Sequence, residues 1–111
     1  MASKYLQAAV DHYKALGTLS LEVPEWVVDG KPLTIFWDPM TLEESARFAK
    51  GDGGVLTFID VIVAKALDSS GAKMFTIEDK PVLKRSVERA VLIRIGNAML
   101  AAPSIEDAEK N

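Results

Sequence analysis

The chain has no cysteine, so a disulfide framework, a thiolate metal site and a cysteine nucleophile are all excluded. Its single histidine, His12, leaves no second imidazole for a metal cluster, and a Ser-His-Asp triad would have to borrow distant residues that sit in no motif. A basic surplus is also missing. The formal net charge is −3, which argues against a general nucleic-acid binder, because such proteins displace counterions with an excess of Lys and Arg. No apolar run is long enough for a membrane span. The most apolar stretch, Val55 to Leu67, is interrupted by Asp60 and Lys65 and falls short of the roughly 20 residues required. Met1-Ala2-Ser3-Lys4-Tyr5-Leu6-Gln7 lacks the apolar core of a secretory signal, so a cytoplasmic product is expected.

What is present is an ordinary globular composition, 49% apolar and 26% charged over 111 residues, enough for one buried core and little more. The spacing predicts an α+β, mainly α fold: an N-terminal helical segment (1–18), a single domain (19–102) with one β-hairpin at about 21–37 and three to four helices packed on it, and a flexible acidic tail (103–111). The stretch from Ser20 to Trp37 alone reads as β structure, and it holds both tryptophans. Asp29-Gly30 suits a two-residue type I′ turn, which needs positive φ at both positions. With Val28 and Lys31 flanking the turn, Trp26 is predicted opposite Leu33 on the face of Ile35 and Trp37, with Val27 and Phe36 on the other. Pro24 lacks the N–H that this ladder wants, so pairing should stop near Glu25 or a bulge should intervene.

Ser3 is the expected N-cap of a first helix from Lys4 to Leu16, with Leu6, Val10 and Tyr13 at helical spacing and Gly17 as its stop. This helix is weakly amphipathic and is expected to lie loosely or to become ordered in an assembly. Thr41 and Glu44 form a capping box for a helix over Leu42 to Lys50, with Leu42, Ala46 and Ala49 on its apolar side; Gly51 to Gly54 follow as a link. The next helix, Val55 to Asp68, is apolar over so much of its circumference (Leu56, Ile59, Val63, Ala66 and Leu67, then Phe58, Val61 and Ile62) that it wants neighbours on more than one side. After Ser69-Ser70-Gly71, Thr76 and Asp79 start a short helix to Arg85 that tolerates Pro81 in its first turn. A bend near Ser86 leads to a last helix reaching Ala101, with a core stripe of Val87, Val91, Ile95 and Ala98. Ile93 and Leu100 form a second stripe on its far side with Gly96 between them, where a lone amphipathic helix would be polar.

Residue chemistry does not favour catalysis. Gly51, Gly53 and Gly54 are followed by no Lys-Ser or Lys-Thr and preceded by a helix, unlike a phosphate cradle. Glu43-Glu44 and Glu78-Asp79 sit in first helical turns, where they offset the macrodipole. Lys80, Lys84, Arg85 and Arg89 are interleaved with acids as on a solvated face, an acidic partner being the other reading. No catalytic, cofactor-binding or metal-ligating residue is assigned, and no cofactor. The pattern is that of a binding module.

The order of motifs adds a resemblance. Val23-Pro24-Glu25-Trp26, the glycine turn, the strand Leu33 to Trp37 and the capped Thr41-Leu42-Glu43-Glu44 come first. Ala64-Lys65-Ala66-Leu67-Asp68-Ser69-Ser70-Gly71, Met74-Phe75-Thr76-Ile77-Glu78-Asp79, Leu83 and the final apolar helix follow. From Leu21 to Leu100 the chain resembles the tail assembly chaperones of long-tailed bacteriophages and prophages. That resemblance implies a non-enzymatic protein of the host cytoplasm, absent from the mature virion, which binds the helical, apolar tape measure protein and helps recruit tail tube subunits. Self-association is a further partner reading that stays open. The expected partner-binding residues are Ile93 and Leu100 with Gly96, and Ile62 on the preceding apolar helix, by helix-in-groove packing. The alternative is that they pack on the N-terminal helix or the hairpin's second face. A structural adaptor that stays in a virion or other bacterial assembly is the competing function. Related phages often make a longer form by a backward frameshift, and Glu109-Lys110-Asn111 can be encoded as GAA AAA AAC, which contains the slippery run A AAA AAC.

Overall fold

Backbone chemistry at a few named residues accounts for where several of the regular elements start or stop. The computed structural model describes residues 3–49 and 55–101. The elements run α1 (Lys4–Leu16), β1 (Leu19–Val28), β2 (Lys31–Trp37), α2 (Leu42–Ala49), α3 (Val55–Lys65), a 3-10 turn (Ile77–Asp79), α4 (Lys80–Ser86) and α5 (Arg89–Leu100). This is the α+β, mainly α architecture expected. In α1, the Ser3 hydroxyl accepts from the Leu6 amide at 3.1 Å and Gly17 ends the helix at φ 65°. The capping box of α2 is formed reciprocally: the Glu44 carboxylate accepts from the Thr41 amide at 3.0 Å, and the Glu44 amide donates to the Thr41 hydroxyl at 3.2 Å.

The hairpin turns at Asp29-Gly30, with φ of 54° and 77°. Its register begins as expected, Val28 opposite Lys31 and Val27 opposite Pro32, and then jumps so that Val23, not Trp26, faces Leu33. Pro24, Glu25 and Trp26 form the intervening bulge, since a proline nitrogen has no proton to give the ladder. Val23 thereby takes the core position predicted for Trp26 and is wholly buried beside Ile35 and Trp37. Trp26 is displaced onto Phe75, edge to face, with ring centroids 6.4 Å apart.

Four further corrections follow from packing. The apolar side predicted for α2 is exposed, Leu42 at 88%, while Phe48 is buried. The reason is Glu44, one turn before Phe48, which is drawn to Lys65 of α3 and turns that face inward. Secondly, α3 stops at Lys65 rather than Asp68, because Leu67 exchanges two backbone hydrogen bonds with Phe36 (2.9 and 2.7 Å). Asp68 then accepts from the Ser70 amide at 2.8 Å and the Ala72 amide at 3.1 Å, closing a tight loop in which Gly71 has φ 89°. Thirdly, the expected helix Ile77 to Arg85 opens as the 3-10 turn. Lastly, Val87 is extended (φ −126°, ψ 141°) between α4 and α5 instead of lying in the last helix.

The core joins the hairpin face (Leu19, Val23, Ile35, Trp37) to α3 and α5, with Phe48 and Leu83 closing it. Helix α3 is central, as its wide apolar circumference requires: Ile59, Val61, Ile62 and Val63 are all buried, as is Ala66 just past its end. Lys65 is buried as well, its ammonium donating to both oxygens of Glu44 at 2.9 and 3.0 Å. The expected link at Gly51 to Gly54, the Lys50 end of α2 and the tail 103–111 lie outside the described residues.

Candidate functional site

The bulge that displaces Trp26 also places it in the wall of an apolar recess at the hairpin tip. Trp26, Val28 and Leu33 form one wall, Met74 and Phe75 the base, and Val82, Leu83 and Val87 the other wall, enclosing about 500 Å³. Apolar side chains dominate this lining. The one charged contributor among the described residues, Asp79, is already engaged, its carboxylate accepting from the Thr76 amide at 2.8 Å as part of a capping box. Val28 and Val82 stand at the rim, 52% and 59% exposed. Behind the bulge Arg94 of α5 donates to both oxygens of Glu25 at 2.8 and 2.6 Å, which ties the hairpin to the last helix. That charge-assisted pair holds the Glu25 carboxyl at about 2. The recess can therefore take an apolar side chain or a helix edge while its frame stays fixed.

A second apolar surface lies on α1, where Tyr5, Leu6 and Val10 are all exposed. This helix meets the rest of the chain through buried Leu16 and through Tyr13, whose hydroxyl donates to the Pro39 carbonyl at 2.7 Å. Burial raises the Tyr13 phenol above its ordinary value, and the nearby carboxylates Glu44 and Asp38 add to the effect. The apolar side formed by Tyr5, Leu6 and Val10 thus faces outward while Leu16 and Tyr13 face the rest of the chain.

The four residues expected to bind a partner are not brought together on a surface. Ile62 is wholly enclosed, and Gly96 is buried against Phe58, so neither presents area to a second protein. Ile93 is half-buried and Leu100 is 42% exposed at the last turn of α5. None of the four lines the hairpin-tip recess. The sequence signal for the recess was the conflict at Pro24, which forces Trp26 out of register; the other lining residues come from segments too far apart for any periodicity to link. His12 is exposed on α1. Among the described residues no group of three or more His, Cys, Asp or Glu could hold a metal ion, and no helix is long and apolar enough to cross a membrane.

Neither a family model, nor a curated protein, nor a solved structure matches this chain.

Proposed function

We propose that this domain is a non-enzymatic chaperone of phage tail assembly. It acts in the host cytoplasm, holds apolar helical segments of the tape measure protein, helps bring tail tube subunits to them, and leaves before the particle is complete. The observation that carries this reading is the hairpin-tip recess, lined by Trp26, Phe75 and aliphatic side chains, with the one carboxylate among its described lining residues turned to a backbone amide. A helix laid across it buries its apolar edge without stranding a charge. The order of motifs from Leu21 to Leu100 agrees with the same role.

The magnitudes suit a partner that must be released. Two or three aliphatic or aromatic anchors contribute roughly 5 kcal/mol, against an association cost of about that size or more. Such a contact is transient unless several copies share a long partner, which a tape measure protein provides.

Co-expression with the tape measure protein tests the reading. Val28→Asp and Val82→Asp place a charge on the rim at positions that are exposed in the free domain, so the fold is retained while soluble tape measure protein is lost. If both variants still keep it soluble and co-purify with it, the recess is not the site. Proteomics of purified particles is the second arm: detection of this chain there replaces the chaperone reading with that of a structural adaptor.

A further inference from the structure

One side of α3 packs on α5, and the other floors a cleft. Phe58, which meets Gly96 of α5, lies about 200° round the helix from Leu56. On that far side Leu56, Ile59, Asp60, Val63 and Ala64 recur at helical spacing and run along the cleft for about 12 Å. The cleft has two lobes, of about 420 and about 540 Å³, which share Asp60 and Lys80. Its outer wall comes from the segment between Lys73 and Arg85, and Arg47 and Phe48 of α2 border the larger lobe.

Five cations line this cleft, Arg47, Lys73, Lys80, Lys84 and Arg85, against one acid among the described residues, Asp60. Asp60 is joined to Lys80 at 3.0 Å. Among the described residues no carboxylate forms an ion pair with the other four cations. The local sign is thus opposite to the −3 of the whole chain. Apolar side chains stand exposed between the cations, Leu56 at 44% in the smaller lobe and Ile77 at 75% in the larger.

This mixture selects its occupant. A small anion would meet the cations and leave Leu56 and Ile77 in water, whereas a purely apolar segment would desolvate ammonium and guanidinium groups without pairing them. A segment with aliphatic residues on one stripe and carboxylates beside it satisfies both. We propose that the cleft docks an acidic amphipathic helix of a protein partner, its aliphatic side chains over Leu56 and Ile77 and its carboxylates facing Arg47, Lys73, Lys84 and Arg85. Two turns of such a helix, about eight residues, match the length of the floor. Among the described residues Phe75 alone is common to this cleft and the hairpin-tip recess, so the docking does not depend on the recess being occupied.

The test is a titration of the full chain with a synthetic helix of about 20 residues, Leu recurring at i, i+3 and i+4 and Glu on the flanks, followed by amide chemical shifts. Shifts are expected at residues 56–64, 73–77 and 80–85, and affinity is expected to fall as salt rises. Lys73→Glu with Lys84→Glu, at positions exposed in the free domain, is expected to weaken binding about tenfold, and Asp60→Asn, which removes the facing acid and releases Lys80, to tighten it about threefold. The proposal is overturned if a peptide with Lys in place of Glu, or Gln in place of Leu, binds as well, if shifts centre on Trp26 and Val28, or if no peptide binds. Single-stranded DNA binding more tightly than the acidic helix overturns it in favour of nucleic acid. Self-association that Lys73→Glu abolishes overturns it in favour of a second copy. Should the doubly reversed variant fail to fold, Asp60→Asn decides, since unchanged or weaker binding there refutes the proposal.

Discussion

Phe58 of α3 lies against Gly96 of α5 so closely that a β-carbon at Gly96 would sit 2.6 Å from Phe58 Cγ and 2.8 Å from Phe58 Cβ. These atoms belong to the stiff base of the aromatic side chain, so the ring cannot swing aside without the helices parting. Gly96→Ala is therefore expected to destabilise the domain by about 1–3 kcal/mol from overpacking, more than the roughly 1 kcal/mol that alanine gains over glycine in a helix. Urea denaturation of Gly96→Ala, Phe58→Leu and the double variant checks this: the double variant recovers part of the loss, because the smaller side chain makes room.

The buried ammonium of Lys65 depends on Glu44. Glu44→Ala strands it and is expected to cost about 2–4 kcal/mol, nearer the lower figure because the Glu44 side chain is 28% exposed. Lys65→Met removes the ammonium and leaves Glu44 capping the Thr41 amide, so it is expected to be the milder change. Denaturant midpoints of the two variants give the order, and the reverse order would refute it.

Acid sensitivity follows from the same carboxylate. Burial, the largest single influence, pushes the Glu44 carboxyl up, but the Thr41 amide and Lys65 ammonium together more than offset it and the net shift is downward from 4.5. A depressed carboxyl contributes stability that is complete above its unfolded value and is lost as pH falls through its folded one. Glu25, lowered from 4.5 to about 2 chiefly by its hydrogen bonds from Arg94, acts in the same direction. Thermal melts are expected to be flat from about pH 7 to about pH 5 and to fall between about pH 4 and pH 2. In Glu44→Gln that fall is shallower.

Caps and stops are local chemistry, and they were legible: Ser3, Gly17, Thr41 with Glu44, Asp29-Gly30 and Thr76 with Asp79 all act where the spacing put them. Facing was legible only where one partner decides it. Leu42, Ala46 and Ala49 satisfy helical periodicity, yet the Glu44 to Lys65 pair turns α2 the other way, and no pattern within eight residues encodes a lysine on another helix. Ile62 was assigned to a surface because α3 is apolar nearly all round. The core shared with the hairpin face, α2, α4 and α5 encloses Ile62 within one copy and leaves Leu56 of that helix exposed. The recess at the hairpin tip was legible only as the register conflict at Pro24, since Trp26, Phe75 and Val82 converge only after that residue breaks the strand register.

Tyr13 supplies the polar anchor of α1. Tyr13→Phe deletes its hydrogen bond to the Pro39 carbonyl, worth about 1 kcal/mol, while leaving the ring in place. Hydrogen exchange is expected to accelerate over Lys4–Leu16 with the hairpin amides unchanged. Equal acceleration in both regions would mean that α1 is cooperative with the core.

Leu67 spends both of its main-chain polar groups on Phe36, at the outer side of β2. A foreign strand arriving there finds neither a donor nor an acceptor vacant at that residue, so ladder extension across Phe36 is blocked. Recognition on that flank is left to side chains.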